Sequence, residues 1–404
     1  RIPESSIRWF GENKVAGAYM DAREIQQLLI EILYTELNEA EASAALLSKI
    51  TEDALVLLYR LAKKHDLAQV LSKFVYKNKR AVSNEEFRER LQQEEVLALC
   101  KQERMNYAFE QVCGIFDPEK IPYIPLKGAV IRAYYPDERM RVSCDIDILV
   151  QEKQLDSVVA CLKDKGYICG NKRYHDIPVI CPNKTPLELH FNIREDKAFL
   201  DKVLKRAWDY AAPAQNSRYD FTKPFFVFHM YAHMAHHFLS GGCGIRSLMD
   251  VWVMEHKMDA PCSCAKELLE KAGIYEFAVQ MSGVANRCFT DNKPDDFSEL
   301  VLNYIFNGGV YGTAENSIAV EKAKNGSALA YAFKRFFLSY PMMTTAYPIL
   351  KKAPFLLPFC WIARGAKALL QGKSGKIQNE LSYANHVSQE KIDEIKEIRA
   401  RIKL

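Results

Sequence analysis

The chain has 404 residues, 49% of them hydrophobic and 26% charged, which is enough apolar material for a full core and for two or three packed subdomains. A wholly disordered or collagen-like chain is excluded. With Lys and Arg at 55 against 51 Asp and Glu, the net charge is only +4, too balanced for a protein that coats DNA; a nucleic-acid role would need a local basic patch.

Eleven cysteines without framework spacing read as reduced cytosolic thiols. The chain opens without a basic segment followed by an apolar one, and no stretch reaches the roughly 18 apolar residues of a membrane span. The nearest candidate, residues 353–363, is broken by Pro354 and Pro358. The expectation is a soluble cytoplasmic protein with no membrane partner, and Arg1 in place of an initiator methionine reads as an engineered or processed end.

Residues 1–117 read as an N-terminal helical region. Ile25, Leu28, Leu29 and Ile32, then Leu55, Leu58 and Leu61, recur at helical spacing, and Ser83-Asn84-Glu85-Glu86 is a capping box for a long helix towards Cys113. Residues 118–200 change texture. Pro122 and Pro125 flank a short apolar run, Gly128 opens a helix through Tyr134, and Asp145 to Val150 alternates like a strand. A helix from Lys153 to Lys165 precedes two short strands, Ile177 to Ile180 and Leu187 to Phe191, joined by a turn-rich segment as a hairpin. The fold class is therefore α+β, a small mixed sheet with helices on one side, embedded in largely helical flanks. Residues 201–404 read as helical again, with helices over Phe225 to Leu239 and Ile245 to His256 forming a hairpin around Gly241-Gly242-Cys243-Gly244. The last 20 residues read as a charged helix.

Asp145 and Asp147 lie two apart on a predicted strand, so both side chains point to one face. Two adjacent carboxylates call for a cation, and Mg²⁺ favours carboxylate and phosphate oxygens. A solvated strand edge is the bland alternative. Glu188, on a later strand of the same sheet, would make a trio able to hold two metals about 4 Å apart. Upstream, Leu126-Lys127-Gly128 is a strand-to-helix turn where backbone N–H groups and a lysine can meet a phosphate. Arg141 and Ser143 share the parity of Asp145 and face the same mouth. Arg139 reads as a solvated loop charge.

Leu126-Lys127-Gly128, Arg141, Asp145-Ile146-Asp147-Ile148-Leu149-Val150 and Glu188-Leu189-His190-Phe191 together resemble the uncharacterised nucleotidyltransferase family of the polymerase-beta-like superfamily. The resemblance covers about Ile121 to Val253. It implies Asp145 and Asp147 as the metal-binding pair, Glu188 as the third carboxylate, Mg²⁺ or Mn²⁺ as cofactor and an NTP as substrate. The implied reaction moves a nucleoside monophosphate to a hydroxyl acceptor, whether small molecule, protein or RNA, and releases pyrophosphate. Glu188 would also help deprotonate the attacking hydroxyl. The turn is Lys127-Gly128-Ala129 where the wider superfamily has Gly-Ser or Gly-Gly, so Ser143 or Lys127 would take over the phosphate contact. The alternatives are an inactive nucleotide-binding or interaction protein of the same fold and a toxin-like enzyme that modifies tRNA.

His190, on the face of Glu188, would orient the acceptor or a carboxylate, or be satisfied by a backbone carbonyl. His175 resembles a family histidine of unassigned role. The resemblance extends to Arg246 and Asp250, which either pair as a local i,i+4 salt bridge or belong to a helical hairpin that walls the pocket. His229, His233, His236 and His237 with Cys243 invite zinc, yet lack a closed ligand set; a histidine-bearing helix is the preferred reading. Residues 372–374 are rejected as a P-loop because Lys367 stands where a glycine is required. The aromatic and basic stretch with Lys334, Arg335, Phe336, Phe337, Tyr340, Lys351, Lys352, Trp361 and Arg364 reads as an amphipathic helix with a snorkelling rim in preference to a polyanion site.

Overall fold

The computed structural model describes residues 20–78, 85–195, 197–309, 316–317, 319–320, 336–338, 340–370 and 388–404. Ser83, Asn84, Lys334, Arg335 and residues 372–374 lie outside them.

Helical spacing and caps build the N-terminal elements. Helix α1 (Ala22–Leu37) buries Ile25, Leu28, Leu29, Ile32 and Leu33, and Asp21 and Glu24 form a capping box at its start. Helices α2 (Ala44–Lys49), α3 (Glu52–Lys64) and α4 (Ala68–Lys77) follow, with Ser43 and Thr51 as caps of α2 and α3. Helix α5 (Glu85–Phe116) has 32 residues and leads into the sheet.

The sheet has β1 (Tyr123–Pro125), β2 (Ile146–Val150), β3 (Ile168–Cys169), β4 (Asp176–Ile180) and β5 (Pro186–His190), in the order β1-β2-β5-β4-β3. β2 and β5 run parallel and the other pairs antiparallel, so the sheet is mixed. Helices α6 (Gly128–Ile131) and α7 (Leu155–Asp164) fall between its strands. The two-residue period divides the faces: Ile146, Ile148, Val150, Leu187 and Leu189 pack with Val112 and Phe116 of α5 and Val158 and Leu162 of α7. Ile124 and Leu149 turn the other way and join the large helical core. Helical layers thus cover both faces, where one was expected, because the second face also has apolar residues to bury.

Two further expectations need correction. Strand β2 starts at Ile146, and Asp145 sits in the bend before it. Beyond Asp201 the chain is not helical throughout: α8 (Ala198–Leu204) is followed by a hairpin of β6 (Ala211–Pro213) and β7 (Tyr219–Phe221), turned at Asn216, whose φ is +53°.

Helices α9 (Lys223–Leu239) and α10 (Arg246–His256) are joined by a return in which Gly241 and Gly242 adopt φ of +127° and +130°, open only to glycine. Helices α11 (Lys266–Lys271), α12 (Tyr275–Phe289) and α13 (Asp296–Gly308) follow, and further on helices Tyr340–Ala346 and Leu357–Leu370 share a small apolar cluster of their own around Met343, Leu350 and Cys360. The C-terminal helix Gln389–Ile402 buries Ile392, Ile395, Ile398 and Ile402 in the core that α1, α3, α4, α9, α10, α12 and α13 share. No helix of the described residues is long and apolar enough to cross a membrane.

Candidate metal and nucleotide site

Parallel pairing of β2 with β5 sets Asp147 directly beside Glu188 and Leu149 beside His190. The odd residue of β2 and the even residues of β5 therefore share the sheet face turned away from α5 and α7. Ligand atoms of Asp147, Glu188 and His190 all lie within 4.8 Å of one another. His190 Nε2 stands 2.9 Å from Asp147 Oδ1 and 3.6 Å from Glu188 Oε2. The carboxylates can only accept, so the imidazole donates.

The electrostatics of the group are those of crowded acids with too little counter-charge. Burial, and then the charges of Asp147 and Glu188, raise the Asp145 carboxyl above its ordinary value. Burial would raise Asp147 as well, but Lys127 and His190 outweigh it and hold Asp147 well below the carboxylate range. His190 is lowered by burial and raised by its bonds to Asp147 and Glu188, ending at about 9. The His190 bond, against burial, holds Glu188 below its ordinary value.

Lys127 is set by backbone geometry. It has φ of +39° and ψ of −107°, a rare conformation for a residue with a side chain, and its Nζ reaches 4.0 Å from Asp147 Oδ2. Burial disfavours its charge, yet Asp147 and Glu195 keep its pKa above the ordinary value. Gly128 follows at the start of α6, where a Cβ would stand 2.6 Å from Ser143 Oγ.

A cleft of about 600 Å³ opens over this face, lined on the sheet side by Lys127, His175, Glu188 and His190 and on the α9 side by His229, His233, His236 and His237. Glu195, in the loop after β5, also lines it. Sequence reasoning missed Glu195, because nothing in an irregular loop marks one carboxylate among many. His175 stacks on His190 with ring centroids 5.4 Å apart.

Asp145, Asp147, Gly128, Arg141, Ser143, Arg246 and Asp250 do not line the cleft, and the last four make other contacts. Arg141 Nε donates to both oxygens of Asp250, at 2.7 and 3.0 Å, and Tyr135 Oη donates to Asp250 Oδ1 at 2.6 Å. Arg246 donates to the Val142 carbonyl and pairs with Asp66 at 3.6 Å. The expected local Arg246–Asp250 bridge is thus replaced by two long-range pairs, since tertiary partners face these side chains from the loop before β2 and from the end of α3. Ser143 is buried and its Oγ accepts from Arg132 at 3.2 Å. Arg139, read as solvated, pairs with Asp137 and Glu95. Cys243 is buried away from the cleft. Of the aromatic stretch, Phe337 packs edge-on to Trp361, whose Nε1 donates to the Leu338 carbonyl, and Arg364 donates to the Phe336 carbonyl.

A family model described as uncharacterised nucleotidyltransferase matches residues 52–290, more than half of the chain. No curated protein and no solved structure matches.

Proposed function

The chain belongs to the uncharacterised nucleotidyltransferase family, and from that membership and the Asp147–Glu188–His190 group at its cleft we propose that it moves a nucleoside monophosphate from an NTP to a hydroxyl acceptor, releasing pyrophosphate. The observation that carries this reading is the convergence of Asp147, Glu188 and His190 within 4.8 Å at a cleft.

The residues fit a divalent cation. Asp145 is crowded by two like charges, and a cation relieves that repulsion. Asp147 and Glu188 offer carboxylate oxygens of the kind that Mg²⁺ and Mn²⁺ take, with Asp145 outside the 4.8 Å group and His190 orienting Asp147 through its N–H. When bound, the metal supplies a Lewis acid that polarises the phosphoryl group and neutralises its charge.

The chain's own residues do the rest. His190 holds Asp147 through one oxygen and leaves the other, Oδ2, to face Lys127. Lys127 brings a buried positive charge to the cleft, where a triphosphate can take over from Asp147 as its partner. Gly128 lets the turn close on Ser143, so that the backbone at the head of α6 stays close to the sheet. Arg141, Ser143, Arg246 and Asp250 act one step back: their pairs fix the loop that carries Asp145 between α6 and α10.

The test is to incubate the protein with each α-labelled NTP, Mg²⁺ or Mn²⁺, and a cell extract containing small molecules, proteins and RNA. Label transfer with pyrophosphate release is expected, and Asp147→Asn should lower it about 100-fold or more, the scale of losing a preorganised electrostatic contact. Transfer unchanged in Asp147→Asn would overturn the assignment.

A further inference from the structure

The wall of the cleft opposite the carboxylates has a chemistry of its own. His229, His233 and His237 recur every fourth residue on α9 and all line the cleft. His233 Nδ1 lies 2.8 Å from Glu195 Oε1. The charge of His233 and its hydrogen bond, then Lys127 and His236, outweigh burial and hold the Glu195 carboxyl well below the usual range, and a carboxylate can only accept. His233 therefore carries its proton on Nδ1. Burial, then Lys127, lowers its pKa against the pull of Glu195 and so favours the neutral ring, and in the neutral ring with Nδ1–H the lone pair is on Nε2.

That Nε2 faces the Nε2 of His237 at 3.1 Å. Two imidazole nitrogens bound to one tetrahedral ion at about 2.05 Å stand roughly 3.3 Å apart, so this pair, now joined by a hydrogen bond, needs to part only slightly to take an ion between them. Two histidines four apart on one helix face are a recurrent metal-binding pair. A carboxylate on the far nitrogen of a ligating histidine is the standard means of fixing its tautomer and raising its basicity. Buried one turn before His233, His229 has no hydrogen-bond partner for either ring nitrogen and lines the same cleft. The negative charge of Glu195 also offsets the nearby Lys127, which would otherwise repel a cation.

We propose that His233 and His237, oriented by Glu195, clamp a transition-metal dication of the Zn²⁺, Co²⁺ or Ni²⁺ class, with water completing its shell. Binding moves the Nε2 proton of His237 to its Nδ1 and releases none from His233. Nitrogen donors select this class, whereas the oxygen-rich group across the cleft suits Mg²⁺ and Mn²⁺. The site is separate from the transfer reaction and stands or falls without it.

The probe is Co²⁺ titrated into the full chain carrying Asp147→Asn and Glu188→Gln, which disables the acidic group. One equivalent is expected, with a visible spectrum of nitrogen and oxygen ligands and no thiolate charge-transfer band from the cysteines. His233→Gln or His237→Gln added to that background should weaken binding at least about 10-fold, and Glu195→Gln about 10–100-fold, as for other residues that orient a ligating histidine. Paramagnetic broadening of the His233 and His237 ring signals in the unaltered chain supplies a readout that needs no variant. Absence of Co²⁺ binding in the background protein, binding unchanged by His237→Gln, a thiolate band, or broadening confined to His190 would each overturn the proposal. In those outcomes the Glu195–His233–His237 chain is a hydrogen-bonded relay only.

Discussion

Gly128 shows how one missing side chain shapes a cleft. Its backbone is helical, so an alanine would fit the local conformation and even favour α6. What forbids it is Ser143 Oγ, 2.6 Å from the position of the added carbon and itself held by Arg132. Gly128→Ala is expected to cost about 1–3 kcal/mol, because Ser143 must rotate and leave the buried Arg132 guanidinium short of a partner. Ser143→Ala removes the clashing atom in advance, so the double variant should show a coupling of roughly 0.5–3 kcal/mol in urea unfolding. Strictly additive losses would mean that the contact is not the constraint. The neighbouring Lys127 is a different case: its rare backbone conformation is a cost, and it is met by the ion-pairing of a buried ammonium with Asp147.

At the scale of elements, the bend before β2 is pinned from α10. Arg141 and Asp250 have only 14% and 6% of their side chains exposed, and Tyr135 closes the group. Removing one partner from such a pair leaves the other charge buried alone, so Asp250→Ala should destabilise the protein by about 3–5 kcal/mol. Tyr135→Phe should cost about 1.5–3 kcal/mol, the loss of a hydrogen bond to a charged group. An Asp250→Ala protein as stable as the parent would show that the pair is not what fastens the bend. The same elements mark what a sequence reveals. Asp147, Glu188 and His190 could be placed on one face from strand periodicity, because a two-residue repeat fixes direction without knowledge of neighbours. Arg246 and Asp250 suggested each other, because helical spacing shows only local partners, while Val142, Asp66 and Arg141 come from distant sequence. The α9 histidines were visible as a row. Their orientation depends on Glu195, whose loop has no period to read.

In the whole molecule, one core joins helices from both ends of the chain, and His65 lies at that junction. Located just after α3, it is fully buried, packs edge-on against Phe306 of α13 and places Nε2 3.3 Å from the Phe306 carbonyl, while Nδ1 has no partner. Protonation would put a charge in the core with one N–H unsatisfied. Burial accordingly lowers its pKa to about 4, the Phe306 carbonyl only partly opposing. In the unfolded chain the same ring titrates near 6.5, so its contribution to stability is complete above that pH and is lost as pH falls from 6.5 towards 4. Between pH 7.5 and 5 the loss is about 2 kcal/mol for this residue. His229 and His237, each lowered to about 3 chiefly by burial, act in the same direction, whereas Asp137 and Asp147, held far below their ordinary range, affect stability only at lower pH. His65→Gln keeps a donor for the Phe306 carbonyl but has no proton to gain. Urea unfolding of both proteins at pH 7.5 and pH 5 should therefore show the gap between them shift by about 2 kcal/mol in favour of the variant on acidification. A gap that stays constant would mean that His65 titrates alike in the folded and unfolded chains, so that burial at this joint does not depress its pKa.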